Sequence, residues 1–114
     1  MGLFDFFSKP NFAEMVEKAP NQVGVYIVKI DGNVKYVGRA IENRPGQNPS
    51  GLRKRLQEHY RGASAGKSEL YENRNKINLT IKPCNSVEEA KRLEAELIRK
   101  YDTVENGWNL RYED

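Results

Sequence analysis

The sequence predicts an α/β (α+β) domain in which helices flank a small, three-stranded, mainly antiparallel sheet. Three observations carry this reading. Segments 23–30 and 34–39 are rich in β-formers and are joined by Asp31-Gly32-Asn33, a strong local hairpin signal. Residues 77–81 alternate between apolar and polar, as a half-buried strand does. Stretches 52–61 and 87–101 carry apolar residues at helical spacing. A chain of 114 residues, 38% apolar and 31% charged, suits one domain around one core. Residues 1–20 read as an N-terminal extension with a short helix, and 21–114 as the domain proper.

The elements follow in order. Asn11 after Pro10 is a helix N-cap with Glu14 three positions on, and Phe12, Met15, Val16 and Ala19 then recur at helical spacing up to Pro20. In the hairpin, a three-residue loop at 31–33 puts Tyr26 and Tyr36 on one face beside Val28, Ile30 and Val34, whereas a two-residue loop would split them, because strand register has period two. Residues 40–50, with Pro45, Gly46 and Pro49, form a solvated loop. Residues 52–61 form a basic helix that Gly62 stops, with Leu52 and Leu56 facing inward and Arg55 and His59 one turn apart. A short helical turn is expected at 68–74 and the third strand at 77–81. Ser86 caps the helix at 87–101 with Glu89 at the capping-box position, and residues 107–110 close the chain in an extended segment.

Composition excludes several classes. No apolar run approaches the roughly 20 residues of a membrane span, and residues 1–7 lack the cationic start and length of a secretory signal. Phe6 occupies the Ser/Thr position of a myristoylation motif. The single Cys84 cannot form an internal disulfide, and with one histidine there are too few soft ligands for a structural zinc site, so a reducing, cytoplasmic setting is expected. Net charge is +3, and its distribution is informative. Arg39, Arg44, Arg53, Lys54, Arg55 and Arg61 gather in one half, whereas Glu88, Glu89, Glu94, Glu96, Glu113 and Asp114 lie in the other. The basic half is where phosphate would dock.

One residue is out of place. Val87, Ala90, Leu97, Ile98 and Tyr101 cover one side of the last helix, and Glu94 falls near the middle of that side. Burying an ionised carboxylate without partners costs several kcal/mol, so Glu94 is paired, protonated, exposed in a cleft or bound to a metal. A core-edge Glu satisfied by Arg39 or Arg55 is the bland alternative. A strand tyrosine is by itself a large β-former with a wet hydroxyl, a lone histidine is usually a hydrogen-bonded or surface group, and Asn109 reads first as a backbone-bonding amide.

Taken together, Gly24-Val25-Tyr26, Tyr36-Val37-Gly38, Arg39, Arg55 and His59 on the next helix and Glu94 on the last one resemble the GIY-YIG endonuclease family. The resemblance runs from residue 24 to about residue 110 and keeps the family's element order. Within the family, the chain is similar to the catalytic domain of the excision-repair endonuclease subunit and reads as a stand-alone, single-domain member. It implies that Tyr26 and Tyr36 are the motif tyrosines, that Arg39, Arg55, His59 and Asn109 belong to the catalytic set, and that Glu94 holds one Mg²⁺ or Mn²⁺. Arg39, Arg53, Lys54, Arg55 and Arg61 would contact the nucleic acid.

The implied reaction is metal-dependent hydrolysis of DNA phosphodiester bonds. Cleavage by water needs a base, charge at the phosphate and help for the leaving oxygen. Glu94 would hold the cation and Arg55 would meet the phosphate oxygens with its planar fork. Tyr26 is the expected base, its phenol lowered by Arg39 and the metal and assisted by Tyr36 or His59; His59 is the rival on intrinsic pKa. Two other classes are weighed: a catalytically inactive nucleic-acid-binding module of the same fold, and a protein-interaction domain or homodimer in which Phe4, Phe6 and Phe7 dock on a partner unless they cover the domain's own core.

Overall fold

Local signals set the helix ends where the sequence places them. In this computed structural model, which describes residues 11–63 and 68–110, the Asn11 side chain accepts the Glu14 N–H at 2.8 Å and opens helix α1 (Phe12–Lys18). Phe4, Phe6, Phe7, Glu113 and Asp114 lie outside the described residues.

The hairpin departs from expectation in an instructive way. Strands β1 (Gly24–Ile30) and β2 (Asn33–Ala40) pair antiparallel, with Ile30 opposite Asn33, so the loop has two residues rather than three. Asp31 and Gly32 take φ of 51° and 80°, the backbone of a type I′ turn, which glycine adopts without a Cβ penalty. That turn alone would put the two tyrosines on opposite faces. They share one because the register shifts after Val28: Val28 faces Tyr36 but Lys29 faces Val34, leaving Lys35 as an extra, bulged residue. Tyr26, Tyr36, Val28 and Ile30 therefore lie together, while Val34 joins Val25, Ile27 and Val37 on the reverse face.

Strand β3 (Asn78–Pro83) pairs antiparallel with the other side of β1, giving the order β2-β1-β3. Because β1 is central and covered on both faces, Gly24 to Val28 are all buried, which is why its sequence is a nearly continuous apolar run. Helices α1, α2 (Gly51–Arg61) and α3 (Ser68–Glu72) supply Phe12, Leu52, Leu56 and Leu70 to the core around Tyr26. Helix α4 (Val87–Tyr101) covers the opposite face with Ala90, Leu97 and Ile98. Gly62 ends α2 in the left-handed region at φ 78°. Ser86 accepts the Glu89 N–H at 3.0 Å, whereas the Glu89 carboxylate reaches Asn85 N–H, one residue before the cap.

Residues 107–110 are not extended as expected. Asp102 takes φ 51° at the end of α4, and the chain continues in turns and bends that return it to β2, where Trp108 N–H donates to the Lys35 carbonyl at 2.6 Å. The outer edge of β2 is thus partly covered, as an unpaired strand edge needs to be. Among the described residues, no helix is long and apolar enough to cross a membrane.

Candidate active site

The free end of β2 is where the two faces of the sheet meet. Tyr36 and Ala40 project to the α2 side, and Arg39, which pairs with Val25, projects to the α4 side. Between them opens a cavity of about 450 Å³ lined by Tyr36, Arg39, Glu42, Lys54, Arg55, Glu58 and Glu94, with Ala40, Ile41 and Gly51 completing the wall.

Glu94 is buried, 3% exposed, on the apolar face of α4, as the helical wheel requires, yet it reaches this wall. Arg39 Nη1 donates to its Oε1 at 2.8 Å, which compensates much of the cost of a carboxylate at that depth. The arginine partner weighed from the sequence is therefore Arg39. This does not exclude a cation. Mg²⁺ takes one or two carboxylates and keeps several waters, each needing about 30 Å³, and both the cavity and its single buried carboxylate suit such an ion. An all-protein cage is ruled out among the described residues, where no group of three or more His, Cys, Asp or Glu could hold a metal.

The motif tyrosines part company. Tyr36 lines the cavity, whereas Tyr26 sits behind it, fully buried, with its ring 6.1 Å from that of Tyr36. The Tyr26 hydroxyl bonds His59 Nε2 at 2.8 Å, and His59 is itself buried inside α2. Gly38 lies directly over this ring, and any Cβ at position 38 would overlap it, which explains a glycine in mid-strand. Burial drives the Tyr26 phenol well above the ordinary phenol range, with the Tyr36 charge adding to the rise and Arg55 opposing it. Removal from solvent outweighs the neighbouring Arg55 guanidinium in setting that direction.

Of the basic residues, Arg39, Lys54 and Arg55 line the cavity; Arg53 is half-buried and Arg61 is exposed, and both lie on α2 outside the wall. Asn109 is also outside it. The Asn109 Oδ1 accepts the Val37 N–H and its Nδ2 donates to the Val37 carbonyl, each at 2.9 Å, so one side chain imitates a neighbouring strand on the edge of β2. Asn109, expected in the catalytic set, is thus placed on the edge of β2 outside the cavity wall. Asn109→Ala strips two buried bonds and is expected to lower stability in urea by about 1–3 kcal/mol. Any loss of activity per folded molecule should stay within about 100-fold, the scale of a misplacement away from the chemistry. Unchanged stability with a far larger activity loss would return Asn109 to the chemistry.

Sequence reasoning missed Glu42 and Glu58. Glu58 follows Arg55 by three helical positions, a spacing that predicts their 3.5 Å ion pair. Glu42 meets Lys54 across twelve residues at 2.9 Å, and no local signal announces that contact.

No family model matches the sequence. No curated protein matches it either. Solved structures do match. One is a point mutant of the GIY-YIG N-terminal endonuclease domain of UvrC from Thermotoga maritima, bound to the catalytic divalent cation; it is 25% identical, covers 88% of this chain and 96% of its own, and superposes with a TM-score of 0.66. A second point mutant of that domain, bound to its catalytic divalent cation, is 27% identical over 80% of this chain and 89% of its own, with a TM-score of 0.62. The same domain bound to magnesium is 26% identical over 80% and 90%, with a TM-score of 0.62.

Proposed function

For a chain that has the GIY-YIG endonuclease fold, we propose the activity of a divalent-metal-dependent endonuclease that hydrolyses phosphodiester bonds in DNA. The observation that carries this is a buried carboxylate, Glu94, set on the wall of a cavity that also holds a phenol, Tyr36, and two guanidinium groups, Arg39 and Arg55.

Glu94 is the residue that would hold Mg²⁺ or Mn²⁺, and such a cation, when bound, supplies positive charge for the phosphate and the departing oxygen. Arg55 approaches the cavity from α2 and binds two non-bridging oxygens with its fork, which a lysine could match only as a point charge. Arg39 holds the Glu94 carboxylate in place. Tyr36 is the group that takes the proton from the attacking water. It replaces Tyr26 in that role because it meets the cavity, whereas Tyr26 is enclosed and bound to His59. Tyr26 and His59 form the packed support beneath Tyr36. A role in DNA repair or recombination accords with the excision-repair resemblance.

The test is a cleavage screen of the purified protein over single-stranded, duplex, flap and branched DNAs, with Mg²⁺, Mn²⁺ or chelator. Metal-dependent nicking of at least one substrate is the expected result. Salt-dependent binding of every substrate with no cleavage under any metal supports an inactive binding module instead.

A further inference from the structure

The cavity wall carries three cations and three anions, already matched in pairs: Arg39 with Glu94 at 2.8 Å, Lys54 with Glu42 at 2.9 Å, and Arg55 with Glu58 at 3.5 Å. Its formal charge is therefore zero, although the whole chain carries +3. A site evolved only to attract a polyanion would hold its lysine and arginine without acidic neighbours. The pairs also differ in depth. The Arg39 and Glu94 side chains are 18% and 4% exposed, whereas those of Lys54 and Glu42 are 41% and 60% exposed, and those of Arg55 and Glu58 are 37% and 36% exposed. Ion pairs as open as the last two are weak and exchange partners readily.

We propose that Glu42 and Glu58 are exchangeable counterions that occupy Lys54 and Arg55 until a substrate phosphate displaces them, setting the affinity of the cavity for the DNA backbone. This rests on the nuclease reading given above. The Lys54 and Arg55 side chains have two alternative anionic partners, and each carboxylate is placed where it repels an entering phosphate and swings outward once its cation is taken. Glu42 is free to do so, since it sits at the start of an exposed loop, and Lys54 together with Arg44 favours its ionised form. Ordinary backbone contacts are then discounted, and only a phosphate seated deeply enough to engage both cations holds its place. Glu42 and Glu58 thus act as specificity determinants, working through Lys54 and Arg55 rather than touching the reacting atoms.

Binding separates this from a structural role. Labelled duplex DNA is titrated in chelator, where metal-dependent cleavage is stopped, over a series of salt concentrations. Glu42→Gln and Glu58→Gln are each expected to tighten binding by about 3- to 10-fold at 0.1 M salt, the scale of one like charge removed near a phosphate. The slope of log K against log salt should steepen by up to about 0.9, the increment for one more phosphate contact. Glu96→Gln, on the exposed side of α4, makes the same change in net charge away from the cavity and should do neither. With metal present, Glu42→Gln should lower KM and leave kcat unchanged, the signature of uniform binding. Equal gains in all three variants reduce the effect to net charge and overturn the proposal. No gain at positions 42 and 58, with the wild-type protein binding DNA, overturns it while leaving the nuclease reading intact. A wild-type protein with no affinity for DNA at any salt defeats the nuclease reading and, with it, the counterions.

Discussion

Glu94→Gln is expected to slow metal-dependent cleavage by at least about 1000-fold, equivalent to about 4 kcal/mol of lost transition-state stabilisation. The amide matches the carboxylate in shape and can still accept the Arg39 bond made at 2.8 Å, so packing on α4 is retained. What disappears is the one buried negative charge on the cavity wall. Single-turnover nicking of a plasmid, read beside thermal unfolding, checks both halves. A cleavage rate within about tenfold of wild type would show that the carboxylate serves only to neutralise Arg39, the bland reading of this residue.

Tyr36→Phe comes second in size, with a loss of about 100- to 10,000-fold in rate, the range for removing a positioned general base. The ring is retained against Tyr26, so stability should change little. Tyr26→Phe should behave differently. It removes the partner of His59 Nε2 in a buried site, which costs about 1–3 kcal/mol of stability. Its effect on the chemical step passes only through the support of Tyr36. Comparing the pH dependence of single-turnover rates in the two variants decides the assignment: the variant that loses the rise of rate with pH on the acidic limb held the base. If that variant is Tyr26→Phe, the proton reaches the enclosed phenol, and the role given to Tyr36 is wrong.

Much of the architecture was legible because its signals are local. Asn11, Ser86 and Gly62 announce helix ends by hydrogen-bonding chemistry confined to a few residues, and Glu94 betrays itself as a charge on an apolar stripe. Resemblance to a family named a candidate residue set, of which Tyr36, Arg39, Arg55 and Glu94 line the cavity. The geometry that assigns roles was not. That Tyr36 lines the cavity while Tyr26 is enclosed behind it is a product of tertiary packing, and no spacing along the strands encodes that. Asn109 carries the same amide whether it faces a phosphate or a strand edge; only the return of residues 102–110 to β2 decides between them. The Glu42–Lys54 pair is likewise a product of tertiary closure.

The extra residue at Lys35 has a consequence for lengthening or shortening this hairpin. With a tight turn and one unmatched position, the segment from 26 to 36 delivers both phenols to one layer only through the combination of the two. Deleting the extra residue beside the unchanged two-residue turn pairs Val28 directly with the tyrosine and keeps the phenols together, whereas one residue added within a strand, with the turn and the extra position left in place, inverts one aromatic relative to the other. Viable length variants between these positions are therefore those in which turn length, extra residue and strand length together keep the same parity, a constraint that is indifferent to which side chains fill the added positions.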